Sequence, residues 1–148
     1  MKTSITLILL LSATLAFGQT KDEQLYNAVM KSDSLKVEIL LNQDANPNFH
    51  VKHGFFEFSP LIWAVQHQDL KIVKLLVEHK AEVDWRDAFK TTALMYAASK
   101  GNKAMVEFLI AHGADPNAKD EQGNSVFSAA KESKNEKVIK LIEGLQKN

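Results

Sequence analysis

The passage that sets the architecture runs Thr92-Ala93-Leu94-Met95-Tyr96-Ala97-Ala98-Ser99-Lys100-Gly101-Asn102 and, nine residues on, Ala111-His112-Gly113-Ala114-Asp115-Pro116-Asn117. Its opening hexad recurs as Ser59-Pro60-Leu61-Ile62-Trp63-Ala64 and as Ser125-Val126-Phe127-Ser128-Ala129-Ala130, with the closing alanines 33 residues apart each time. A second block keeps the same phase: Ala81-Glu82-Val83-Asp84 and Ala114-Asp115-Pro116-Asn117, with Ala45-Asn46-Pro47-Asn48 lying 36 residues ahead. Between the blocks stand Val37…Ile39-Leu40, Val73…Leu75-Leu76, Val106…Phe108-Leu109 and Ile139…Leu141-Ile142. Two motifs holding one period identify an array of repeated supersecondary units.

The chemistry of each unit is legible. Ser59, Thr92 and Ser125 are N-cap residues, and Pro60 falls where a helix's first N–H has no partner to lose. Ala64, Ala97 and Ala130 let a short helix lie close to its neighbours. The following helix is amphipathic, with apolar residues at i, i+2 and i+3 expected to face inward and Lys or Glu outward. Gly113 ends its helix as a left-handed cap, and Lys80 occupies the matching place. Asn48, Asp84 and Asn117 recur in register as turn-forming side chains. Such a unit is too small to bury its own face, so stacked units share one core. That core is expected to rest on Leu61, Leu94, Phe127 and the second-helix rows. The fold class is an all-α repeat solenoid of about four helix–turn–helix units with short hairpin fingers.

These residues resemble the ankyrin-repeat family, whose 33-residue unit opens T-P-L-H-x-A. The resemblance covers residues 22–145, in units of about 22–50, 54–86, 87–119 and 120–145. Ile62, Met95 and Ser128 stand where the family has its histidine, which removes the Thr–His hydrogen-bond network. The usual hairpin glycine is Glu57 in the second unit and Lys90 in the third, and Gly123 keeps it in the fourth. Three extra residues precede Gly54, an alternative holder of the second unit's turn. The first unit lacks a complete entry hairpin, the last stops in its second helix, and there Lys131, Glu132 and Lys134 replace apolar or glycine positions, so both ends read as caps with a wet outer face. The resemblance implies binding of another protein through the fingers and the concave face.

Composition narrows the alternatives. Lys plus Arg equals Asp plus Glu, 18 against 18, so no net field recruits nucleic acid or anionic lipid. Lys131, Lys134, Lys137 and Lys140 approach a basic stripe, but Glu132, Glu136 and Glu143 interleave with them as helical salt-bridge decoration. The absence of cysteine removes disulfides, thiolate nucleophiles and Cys-ligated metal. No G-x-S-x-G, phosphate-cradling loop or HExxH motif occurs, so the reading is a non-catalytic protein without a cofactor. His50-x-x-His53 is the one close histidine pair; read as solvated loop residues, it leaves metal binding or an enzyme-accessory role as the alternative.

The N-terminus reads as an address. Lys2 precedes an uncharged run from Ile5 to Leu15, and Ala16-Phe17-Gly18 offers small residues to a signal peptidase. Residues 1–18 are therefore expected to be a signal peptide cleaved before Gln19, leaving residues 19–148 as a domain. A spanning helix needs about 20 apolar residues, more than this run provides. Export without cysteine fits a bacterial periplasmic or secreted protein, monomeric and not inserted in the membrane. It would serve as an envelope-enzyme helper or a toxin inhibitor, or alternatively as a host-directed effector.

The candidate contact residues begin with Phe55, Phe56 and Phe58 on the first finger. They are either a projecting aromatic hot spot or the packing under the finger. Trp85, Arg86 and Phe89 of the next finger extend the patch. Gln66, His67, Ser99 and Lys100, at the ends of the first helices, complete it.

Overall fold

Every unit's first helix is launched by a hydroxyl side chain. Thr20 Oγ1 accepts from the Glu23 N–H at 3.2 Å while Glu23 Oε2 accepts from the Thr20 N–H at 2.9 Å, a reciprocal capping box that starts α1 (Lys21–Met30). Ser59, Thr92 and Ser125 accept from the N–H groups of Ile62, Met95 and Ser128 at 3.5, 3.3 and 3.2 Å. These caps begin α3 (Pro60–Gln66), α5 (Ala93–Ser99) and α7 (Val126–Glu132). Second helices use the shorter Asx side chain: Asp33, Asp69 and Asn102 cap α2 (Ser34–Asn42), α4 (Leu70–Glu78) and α6 (Lys103–Ala111). Before α8 (Glu136–Gln146), Asn135 Oδ1 accepts from the Lys137 N–H at 3.0 Å. This computed structural model describes residues 20–53 and 56–146; the expected signal peptide lies outside the described residues.

Tight left-handed turns make the helices double back. Between first and second helices the chain passes through positive φ at Ser32, Gln68, Gly101 and Lys134 (54°, 58°, 67° and 56°). After the second helices it does so at Asp44, Lys80 and Gly113 (62°, 69° and 92°), so Lys80 adopts the conformation of its glycine counterpart. The result is four helix pairs. First helices stack α1–α3–α5–α7 in one layer, and second helices pack behind them, α2 on α4 and α6 on α8.

The core lies between the layers. Leu25, Leu61, Leu94, Ile72, Leu76, Met105, Leu109 and Ile142 are all fully buried. Phe127, expected beside Leu61 and Leu94, is only partly buried, because among the described residues no further unit packs over it. Lys131 Nζ instead lies 4.5 Å over its ring. The second helices also differ from expectation. Positions i and i+3 go inward, as in Val37/Leu40, Val73/Leu76 and Val106/Leu109, whereas Leu75 and Phe108 at i+2 are half-buried and Ile39 is 48% exposed. Two residues along a 3.6-residue helix is more than half a turn, and the i+2 side chain depends on a neighbouring unit for cover. Among the described residues, no unit packs on the first-unit side of Ile39.

Between units the chain extends into fingers. The first is a hairpin, β1 (Val51–His53) antiparallel to β2 (Phe56–Phe58), in register Val51↔Phe58, Lys52↔Glu57 and His53↔Phe56. Glu57 is thus a strand residue, not the hairpin's glycine position; Gly54 and Phe55 lie outside the described residues. The next two fingers shrink to single bridges, Arg86↔Thr92 and Lys119↔Ser125. There Lys90 and Gly123 do hold the left-handed conformation, with φ of 60° and 84°. Asp87 Oδ1 accepts from the Phe89 and Thr91 N–H groups, both at 2.9 Å, and Asp120 Oδ1 does the same for Gln122 and Asn124.

Asn48 and Asp84 act across units. Asn48 Oδ1 accepts from the Glu82 N–H at 2.8 Å and its Nδ2 donates to the Lys80 carbonyl at 3.2 Å, while Asp84 accepts from the Asp115 N–H at 2.9 Å. The local turns belong to Asn46 and Asp115, which accept from the N–H groups of Asn48 and Asn117. The expectation of turn-forming Asn48 and Asp84 is corrected accordingly: these side chains clasp one repeat to the next. Among the described residues no helix is long and apolar enough to cross a membrane.

Candidate functional site

The crevice between first helices and finger loops repeats with the sequence. One slot, of about 180 Å³, is lined by Ile62, Trp63 and Gln66 of α3, Tyr96 of α5, Ser59, Glu57 of the first finger, and Asp87, Ala88 and Phe89 of the second. A second slot, of about 150 Å³, is lined by Met95, Tyr96 and Ser99 of α5, Ala129 and Glu132 of α7, and Thr91, Asp120 and Asn124. The two are one geometric feature displaced by a repeat. Ile62, Trp63, Gln66 and Asp87 become Met95, Tyr96, Ser99 and Asp120, each 33 residues later. Tyr96 is the wall they share.

That wall is fixed in place. Tyr96 Oη donates to Asp87 Oδ2 at 2.7 Å, tying α5 to the finger loop. Burial and the adjacent Asp87 carboxylate, which holds the phenol proton and repels the phenolate, push its pKa up to about 12. Trp63 stacks on His67 with ring centroids 4.3 Å apart. Its Nε1 is buried without a hydrogen-bond partner among the described residues.

The expected contact residues fall into three groups. Gln66 and Phe89 line the first slot and Ser99 the second, so the groove gathers residues from two helices and a finger. Phe89 is 49% exposed. His67 and Lys100 are exposed at helix ends on the rim; the His67 Nδ1 proton is donated to the Trp63 carbonyl at 2.9 Å. Arg86 belongs elsewhere: its Nη1 donates to the Lys119 carbonyl at 2.8 Å and the Lys90 carbonyl at 3.3 Å, making it a strut between fingers. Phe55 lies outside the described residues, and of Phe56 and Phe58 only the strand backbone is described. Trp63, Tyr96 and Asp87 were not expected at the site. Trp63 and Tyr96 are aromatic at the same phase of consecutive repeats, a pattern visible in the sequence that does not by itself say they wall a groove; Asp87 carries no such aromatic mark.

Four of the five histidines have structural occupations; the side chain of His53 lies outside the described residues. His50 packs on Trp85 with centroids 4.4 Å apart and approaches Glu57 Oε1 at 3.7 Å, so it is not a solvated loop residue and Trp85 is not part of an open patch. Burial lowers its pKa, with Glu57 and Glu82 pulling the other way. His67, His79 and His112 each cap a helix and direct Nδ1 to the carbonyl four residues back. Among the described residues no three His, Asp or Glu side chains are grouped to hold a metal ion.

The sequence profile described as ankyrin repeats in three copies matches residues 25–120 and again residues 80–148. The chain belongs to the ankyrin-repeat family. It is 31% identical over 129 residues, 85% of its length, to the probable E3 ubiquitin-protein ligase XBOS34 of Oryza sativa subsp. japonica, and covers 25% of that protein. It is 30% identical over 96 residues, 62% of its length, to a putative ankyrin repeat protein of Acanthamoeba polyphaga mimivirus, covering 13% of it. Zygote-specific protein 3 of Chlamydomonas reinhardtii is 41% identical over 71 residues, 48% of this chain and 19% of the algal one. The chain thus spans a quarter or less of each relative, and ankyrin repeats as a class imply a protein–protein interaction module.

Proposed function

We propose that this is a non-catalytic, exported docking protein that holds a partner protein in the groove between its finger loops and first helices. The observation that carries the reading is the pair of contiguous slots, walled by Trp63, Phe89 and Tyr96, on a frame whose own core is already complete. Large amphipathic rings held by a rigid scaffold are the usual material of binding hot spots. An envelope-enzyme helper or a toxin inhibitor both use such a groove, and the Ile5–Phe17 segment supports delivery outside the cytoplasm.

A photo-crosslinking residue at Phe89, compared with one at Leu35, tests the groove. Leu35 is 66% exposed on a second helix, on the layer opposite the fingers. In cells carrying the natural partner, position 89 is expected to give a discrete cross-linked species and position 35 none; the reverse pattern overturns the reading. N-terminal sequencing of the protein recovered outside the cytoplasm is expected to begin at Gln19. Retention of residues 1–18 in a membrane fraction would refute delivery by cleavage.

A further inference from the structure

The two slots differ in chemistry, and the difference specifies what they take. The first is walled mainly by Ile62, Trp63, Phe89 and the ring of Tyr96. The second substitutes Ala129 for an aromatic wall and adds Asp120 and Glu132. Across both, the lining carries four carboxylates (the others being Glu57 and Asp87) and no Lys or Arg. Glu57 is partly offset by Lys52, whose Nζ lies 3.8 Å from it. The one arginine of the sequence, Arg86, has its guanidinium engaged with the Lys119 and Lys90 carbonyls.

Donors from the Asn124 side chain and from the backbone hold the Asp120 carboxyl below its usual range. In a chain whose charges balance overall, the lining of this apolar recess carries acidic side chains and no basic ones.

We infer that the partner docks through a cationic segment: an apolar side chain enters the first slot and a Lys or Arg, one repeat along, meets Asp120 and Glu132 in the second. The inference rests on the groove being the docking site. Adjacent packed helices lie about 8–10 Å apart. That is about three residues of extended chain or six of helix.

The test is selection of random peptides displayed on phage against the immobilised chain, followed by affinity measurements on Phe89→Ala and Glu132→Lys. Glu132 is exposed, so the melting temperature of Glu132→Lys is expected to match the parent and is measured alongside. Enriched peptides are expected to pair an aromatic or long aliphatic residue with Lys or Arg. Phe89→Ala and Glu132→Lys are each expected to weaken them at least tenfold, and 0.5 M salt is expected to weaken binding to the parent. Peptides that lose affinity for Phe89→Ala but carry no base and ignore Glu132→Lys overturn the cationic partner while leaving the groove standing. Peptides indifferent to both substitutions, or no enrichment at all, overturn the inference together with the groove.

Discussion

Two turn residues show how one backbone conformation is demanded for different reasons. Lys80, at φ 69°, stands where Gly113 stands in the next unit, and a side chain there carries a left-handed penalty. Lys80→Gly is expected to raise stability by about 1 kcal/mol, read as a higher melting temperature. Gly101, at φ 67°, has a second constraint: an added Cβ would lie 3.1 Å from Ser133 Cβ and 3.2 Å from Asn135 Cβ. Gly101→Ala is therefore expected to lower the melting temperature, combining strain with displacement of the next unit. Tyr96 supplies a titration. Its pKa is raised to about 12, so the stability it contributes is complete below the ordinary phenol value near 10 and fades as pH rises through 12. Phenolate absorbance is expected to show a late step at about 12 that disappears in Tyr96→Phe.

At the scale of the elements, helices and caps were readable and the joints between them were not. Ser59, Thr92 and Ser125 cap the helices their sequence positions announced, since an N-cap bond spans three residues and is written locally. Asn48 looks the same in sequence as a turn former, yet its bonds reach Lys80 and Glu82, 32 and 34 residues away. Asn48→Ala is expected to cost about 1–2 kcal/mol for two lost hydrogen bonds, measured as a lower denaturant midpoint. Fingers follow the same division. The left-handed positions 90 and 123 fall on the repeat, whereas the role of Arg86 depended on where the Lys119 carbonyl came to rest.

For the whole molecule, stability comes from stacking, so a defect in the middle is felt at both ends. Leu94 is fully buried on α5, which packs on both α3 and α7. Leu94→Ala is expected to lower stability by about 2–5 kcal/mol in a single cooperative transition, followed by circular dichroism in urea. Ile39→Ala, at a half-exposed site in the first unit, is expected to change it far less.

The 33-residue period determined the solenoid, its four units and the cap residues, because each of those rests on contacts within a unit or on the same contact repeated. The candidates Gln66, Phe89 and Ser99 came from the family resemblance, not from the period. Tertiary structure alone decided that Trp63, Tyr96 and Asp87 wall a groove, that Phe127 is only partly buried and that His50 is packed on Trp85. Each of these depends on residues brought together from different units, and on how closely a finger approaches a helix, distances that a repeat period does not encode.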